Sequence, residues 1–435
     1  MIGLVMFAVC LLLLLVGFPV AFTFGGAAVI FGLFAEGQSI FAMMPHRIWS
    51  VMNNTILMAI PLFIFMGIVL QKSKLAERLL ESMGFLFGEI RGGIAISTVL
   101  VGALLAASTG VVGASVVAMG VISLPVMLKY NYDKQLATGS ICAAGTLGQI
   151  IPPSIVLIIL GDVFQEPVGD LFKAAFWPGL SLVLFYVIYI LVVAYIKKDI
   201  APPIRLDDSH GTKKQQIFTA LRAIVPPLVL IVLVLGSILF GIATPTESSA
   251  IGGVGSIILA AMYKQLSVRM VWDSALETTK ITAMVFAILV GATAFSMVFT
   301  YTGGDYIVED FMMGLPGEKW GFLILSMLLI MALGFFIDFV EISYIVVPIL
   351  APIAANLGIN PVWYAILVAM NLQTSFLTPP FGFSLFYLKG VAPPEVRTMH
   401  IYRGVLPFIV IQVLVLGILV VYPEIFGLSS TYSPF

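Results

Sequence analysis

The chain reads as an all-α polytopic membrane protein: an inverted repeat of two five-span halves, each with a re-entrant hairpin and a broken helix. Three observations predict this. The composition is 60% apolar and only 10% charged, with a mean hydropathy of +1.12, and several apolar runs exceed the roughly 20 residues that span a bilayer. Double prolines interrupt two of those runs, in GQIIPPS (148–154) and SFLTPPF (375–381). Prolines also recur at a nearly constant offset: Pro245 lies 226 residues after Pro19, Pro348 lies 223 after Pro125, and Pro379 lies 227 after Pro152.

In order along the chain, residues 2–34 are too long for one ordinary span and carry Gly17-Phe18-Pro19 near the middle, so two short spans around a tight turn are expected. No Lys or Arg precedes Arg47, so this start lacks the basic region of a secretory signal and reads as a retained span. A loop over 35–50 leads to a third span at about 51–70. Residues 71–91 interleave Lys72, Lys74, Glu77, Arg78, Glu81 and Glu89 with Leu75, Leu79, Leu80 and Phe85, the pattern of an interfacial amphipathic helix. Residues 93–107 would reach only about 22 Å as a helix, short of the roughly 30 Å hydrocarbon core. Ser108-Thr109-Gly110 interrupts them before 111–128 runs on, which suggests a re-entrant hairpin over 93–128, with two ordinary spans as the alternative. A broken span over 137–160 and a plain span over 174–196 complete the first repeat, 1–196.

A polar linker, 197–222, separates it from the second repeat, 223–435. There, spans 223–241 and 245–263 flank GIATPTE, a third follows at 278–300, and the polar stretch 303–319 takes the place of the interfacial helix. A second hairpin over 320–355 carries Asp338 and Glu341, the second broken span covers 361–388, and a last span covers 404–422. Five crossings per half invert the second copy relative to the first. With the linker cytoplasmic, all but Arg47, Lys173 and Lys319 of the 21 basic residues fall inside, which puts both termini in the periplasm.

Enzyme chemistry is not expected. Cys10 and Cys142 lie far apart in apolar runs, the three histidines fall in loops, and no G-x-S-x-G, H-E-x-x-H or phosphate-loop motif is present. The chemistry lies in the breaks. A proline lacks the amide donor and clashes with the carbonyl four residues back. Pro152-Pro153 therefore release the carbonyls of Gly148 and Gln149, and Pro379-Pro380 those of Ser375 and Phe376. In lipid such carbonyls need protein, water or an ion. Ser108 and Thr109 at the first tip join Gly145, Thr146 and Gly148 at the first break. Asp338 at the second tip joins Thr374, Ser375 and Thr378. Hard oxygen ligands without thiolate or imidazole suit Na⁺, and inward-facing helix ends favour an anionic substrate. Asp338 is costly in an apolar hairpin and reads as functional. Glu341 is either a further ligand or, the favoured reading, a charge at the hairpin mouth. Glu247 could serve packing between fixed and mobile parts.

The stretches GIATPTESSAIGG (241–253), AASTGVVGAS (106–115), YDKQLATGSICAAGTLGQIIPPSIVLIILGD (132–162) and NLQTSFLTPPFGFSLFYLKGVAP (371–393) carry a resemblance. Over essentially its full length the chain resembles the large membrane subunit of tripartite ATP-independent periplasmic (TRAP) transporters. That resemblance implies a Na⁺-coupled importer of organic acid anions in the bacterial inner membrane, working by an elevator motion. It implies as partners a periplasmic substrate-binding protein and a small four-span membrane subunit, here a separate polypeptide. No cofactor beyond Na⁺ as coupling ion is implied. The first sodium site is assigned to Ser108, Thr109, Gly110, Gly145, Gly148 and Pro152, and the second to Gly334, Asp338, Thr374, Ser375 and Thr378. The substrate is assigned to Ser108, Thr146, Ser154, Asn371 and Gln373. The second tip reads Asp338-Phe339-Val340-Glu341 where many family members have Asp-Pro-Thr, a variant that resembles those associated with 2-oxo acids or related carboxylates. A stand-alone carboxylate carrier of related architecture is the competing reading.

Overall fold

A computed structural model describes residues 1–110, 112–203 and 213–431, with side chains at all of these except 76, 85, 106–109 and 213–216. Among the described residues every regular element is a helix, apart from one isolated bridge between Ile359 and Thr431. The first pair, α1 (Ile2–Val16) and α2 (Val20–Glu36), turns at Gly17, whose φ of 96° caps α1 in the left-handed region that glycine tolerates. A 3₁₀ segment (Gly37–Met43) and α3 (Met44–Met52) occupy what reads as a loop in the sequence. After a 3₁₀ turn (Ile56–Met58) come α4 (Ala59–Lys72) and α5 (Leu75–Phe87), whose Leu75, Leu79, Leu80 and Met83 are buried. Then follow α6 (Gly93–Thr109), α7 (Val112–Lys129), α8 (Lys134–Thr146), a 3₁₀ turn (Leu147–Gln149), α9 (Ile155–Phe164) and α10 (Val168–Ile196).

The second series has α11 (Lys213–Leu239), α12 (Pro245–Met262), α13 (Val268–Tyr301), α14 (Gly304–Met313) and α15 (Lys319–Leu333). It continues with α16 (Phe339–Glu341), a π-helical turn (Ile342–Val346), α17 (Val347–Asn356), α18 (Pro361–Leu377), α19 (Phe383–Val391) and α20 (Thr398–Val421). Helix α14 replaces the polar stretch expected over 303–319. The expected linker is shorter than 197–222, because 213–222 already belong to α11; its residues 204–212 lie outside the described part. Seven helices among the described residues are long and apolar enough to cross a membrane alone.

Two packing groups can be followed, joined where α6 lies on α4 and α5. In one, α2 packs along α13 and α4 along α12, with α4 on α13 and α11 on α5 and α12. In the other, α8 is enclosed by α6, α7 and α20, while α18 packs on α9, α15, α19 and α20. Small residues allow close approach in both. A Cβ on Gly139 of α8 would collide with the carbonyl of Gly404 in α20, and one on Gly291 of α13 would stand 2.6 Å from the Ala21 carbonyl in α2. Such contacts hold helices where lipid removes the hydrophobic incentive to associate.

Candidate functional site: two broken spans and two hairpin tips

The first broken span begins at a firm cap: Asp133 Oδ1 accepts from the amides of Gln135 (2.9 Å) and Leu136 (3.1 Å). Helix α8 then runs buried to Thr146, tightens to 3₁₀ and stops at Pro152-Pro153, a cis bond, before α9 restarts. The Gln149 carbonyl released by Pro153 accepts the Ser154 hydroxyl at 2.7 Å. Ser154 thus closes the break with its own chain, although the sequence assigns it to substrate. The Thr146 hydroxyl donates to the Ala143 carbonyl at 2.9 Å. Gly145 lies against α7, where a Cβ would sit 3.1 Å from the Val116 nitrogen. Gly110 (φ 61°) is buried on the start of α9, where a Cβ would meet Ile155 at 2.9 Å. Gly148 and Pro152 are buried in the same turn. Ser108 and Thr109 end α6, and their side chains lie outside the described part.

The second broken span starts at Asn360, whose Oδ1 caps Trp363 N at 3.1 Å. Three hydroxyls near its end donate backwards along the chain: Thr374 to Met370 O (2.8 Å), Ser375 to Leu372 O (2.7 Å) and Thr378 to Thr374 O (2.7 Å). A hydroxyl that gives its proton away keeps acceptor lone pairs, so these oxygens remain competent to ligate a cation. The Pro379-Pro380 bond is also cis. The Phe376 carbonyl accepts the Ser384 hydroxyl at 2.7 Å from beyond the break. Gly334, ending α15, packs directly on Ser375, leaving no room for a Cβ. Four residues later Asp338 caps α16, accepting from Phe339 N at 2.7 Å.

Of the remaining assignments, Asn371 is engaged elsewhere, donating to the Met327 carbonyl of α15 at 2.6 Å. Gln373 is fully buried beside Tyr186, whose hydroxyl accepts from Gln412 at 2.8 Å. Glu341 is not at a mouth: it is 6% exposed, its Oε2 has no partner, and it faces Phe7, Leu11 and Phe24 of the other body.

Several residues near the site went unassigned in the sequence. Gln149 is fully buried with both amide atoms unpaired. Phenylalanines surround the second break, with Phe336 over Phe381 (4.9 Å between ring centroids), Phe376 beside Phe383 (5.0 Å) and Phe339 beside Phe376 (6.3 Å). Tyr387 links the two hairpins: its ring covers Gly113 at the start of α7, where a Cβ would stand 2.9 Å away, and it lies within electrostatic range of Asp338 and Glu341. Asp162 carried a usable signal, a lone acid ending an apolar run.

The family model described as "Tripartite ATP-independent periplasmic transporter, DctM component" matches residues 5–425. The chain belongs to this family. The chain is 30% identical over 446 residues to the C4-dicarboxylate TRAP transporter large permease protein DctM of Rhodobacter capsulatus, covering 98% of this chain and 100% of that one. It is 31% identical over 422 residues to the isethionate TRAP transporter permease protein DctMQ of Oleidesulfovibrio alaskensis, covering 97% of this chain and 65% of the relative. Among solved structures, the crystal structure of the Alcanivorax borkumensis YdaH transporter matches with a TM-score of 0.65 at 14% identity, over 98% of this chain and 99% of that one. That likeness concerns the fold. The chain is thus a multi-pass membrane protein and a transporter permease component.

Proposed function

We propose that this chain is the large subunit of a Na⁺-coupled importer of organic acid anions, possessing two unlike cation sites beside one carboxylate site. The observation that carries the reading is the geometry around the second break. Thr374, Ser375 and Thr378 keep acceptor lone pairs, Gly334 lies on Ser375, and Asp338 stands four residues beyond it. That oxygen-rich set, with one carboxylate, fits Na⁺. The first break offers a neutral set, in which Gly145, Gly148, Pro152 and the tip at Ser108, Thr109 and Gly110 are the members. A bound cation at each break would offset the repulsion between Asp338 and an incoming carboxylate.

The relatives named for C4-dicarboxylates and isethionate support a small organic anion as cargo. We take a 2-oxo acid or related carboxylate as the substrate class, delivered by a periplasmic binding protein. A small four-span subunit would stand beside the body containing α2, α4, α12 and α13, while the body containing both breaks moves as an elevator, with both termini periplasmic in the inner membrane. On this reading the halves 1–196 and 223–435 are inverted copies. The experiment is reconstitution in liposomes with the small subunit and the cognate binding protein. Uptake should require an inward Na⁺ gradient and the binding protein; uptake that survives removal of both would overturn the proposal.

A further inference from the structure

One carboxylate stands at the unfavourable end of its helix. Asp162 lies in the last turn of α9, where unpaired carbonyls concentrate partial negative charge. The position 227 residues on, in the last turn of α19, is Lys389, the sign that a helix C-terminus favours. Asp162 finds its compensation in the other body. Asn54, between α3 and the turn leading into α4, donates its Nδ2 to Asp162 Oδ1 at 2.5 Å.

The amide of Asn54 is held for this purpose. Its Oδ1 accepts from Ile56 N at 3.0 Å, which leaves the nitrogen facing Asp162. The neighbouring residue is held as well: Thr246 donates its hydroxyl to the Thr55 carbonyl at 2.8 Å. Thr246 sits in the first turn of α12, whose start is locked by a capping box in which Thr244 and Glu247 satisfy each other's amides. The TPTE motif therefore anchors a loop of one body, and that loop presents a donor to the other. A second donor moves with Asp162. The π-helical turn that carries Tyr344 packs beside α9, and the Tyr344 hydroxyl is buried without a hydrogen-bond partner, within electrostatic range of Asp162.

We propose that Asn54 and Asp162 form a latch between the fixed and mobile bodies, and that Asp162 exchanges Asn54 for Tyr344 when the bodies slide. Asn54 and Thr246 are positioning residues on this account, and Asp162 holds one end state of the cycle without touching substrate. The inference rests on the elevator reading above.

The test uses the complete assembly in liposomes. Asn54→Cys with Asp162→Cys is oxidised, the buried Cys10 and Cys142 being retained. Cross-linking should suppress uptake by at least about tenfold and reduction should restore it, while either single variant ignores the oxidant. Full cross-linking with unchanged uptake would overturn the latch. A second arm exchanges the partners. Asn54→Asp alone sets two carboxylates against each other and should slow uptake about tenfold, whereas adding Asp162→Asn rebuilds the hydrogen bond with the roles reversed and should restore most of the rate. A double variant no faster than Asn54→Asp also overturns the proposal. Should wild-type uptake prove independent of Na⁺, the coupling reading fails while the disulfide still decides the latch.

Discussion

Three double prolines interrupt apolar sequence in this chain, and only two of them break a helix. Pro152-Pro153 and Pro379-Pro380 end α8 and α18, whereas Pro226-Pro227 lies inside the uninterrupted α11. The rule that two prolines break a helix is therefore incomplete, and what decides is where the released carbonyls find donors. In α11 the Ala223 carbonyl, four residues before Pro227, accepts the Tyr263 hydroxyl at 3.1 Å from α12's end. At the two breaks the carbonyl three residues before the first proline is served by a serine from beyond the break. The first break uses Ser154, five residues on, and the second uses Ser384, eight residues on. The second serine reaches back further although the second break is the shorter, five residues between α18 and α19 against eight between α8 and α9. The second break also admits Gly382, where a Cβ would stand 2.6 Å from the Phe376 carbonyl. Three hydroxyls ahead of the prolines and the nearby carboxylate of Asp338 separate the second break from the neutral first one.

The largest effect that would sharpen this contrast is expected at Gly334. A methyl there meets Ser375, whose hydroxyl is tied to Leu372, so Gly334→Ala should cost about 1–3 kcal/mol of local packing and nearly abolish uptake. Adding Ser375→Gly removes the collision, so the double variant should regain thermal stability in detergent, the check on the packing, while uptake stays low because the Ser375 oxygen is gone. Asp338→Asn comes next. It removes the one carboxylate assigned to the second site, and the apparent Na⁺ affinity should fall about tenfold, or about 1.4 kcal/mol, with the fold intact by size-exclusion and circular dichroism. A Na⁺ titration of uptake identical to wild type would take Asp338 out of the site. Ser154→Ala and Ser384→Ala each orphan a buried carbonyl, so each should lower stability by about 1–2 kcal/mol. Thermal unfolding in detergent reads that loss, and equal shifts would show that the two serines perform the same office despite their different spacing.

Much of the fold was legible because membrane-depth rules act locally. Apolar runs set the helices, glycine with φ above zero sets the α1–α2 turn, and a double proline can be found by eye. What escaped was decided by residues far apart in sequence. The span read over 223–241 does continue through Pro226-Pro227, but the hydroxyl that serves its Ala223 carbonyl belongs to Tyr263, 40 residues away, and nothing near the prolines announces it. Glu341 sits among Phe7, Leu11 and Phe24, more than 300 residues earlier in the chain, which is why a charge expected at a mouth is buried. The hydroxyls of Thr374, Ser375 and Thr378, proposed as cation ligands, were picked out by their position just before the break. That Asn371 turns to α15 and Ser154 to its own chain depended on neighbours that no spacing reveals.

The smallest effect tests the comparison most directly, because it asks whether a distant hydroxyl is what lets α11 pass its prolines. Tyr263→Phe removes the donor to Ala223 while keeping the ring over which Arg78 lies at 5.1 Å. The loss should be about 1 kcal/mol of stability, read as a lower unfolding temperature, with uptake unchanged because neither break is touched. Pro227→Ala supplies an amide that can bond the Ala223 carbonyl from within the helix. In that background the hydroxyl is redundant, so Tyr263→Phe should then cost nothing, and the two changes should couple by about the same 1 kcal/mol in a double-mutant cycle. Additive effects would mean that Ala223 is satisfied some other way, and that the distinction between the continuous helix and the broken ones lies outside their carbonyls. The corresponding change at the first break, Pro153→Ala, competes with a hydroxyl already in place on Gln149, so it should leave the break open and the stability nearly unchanged.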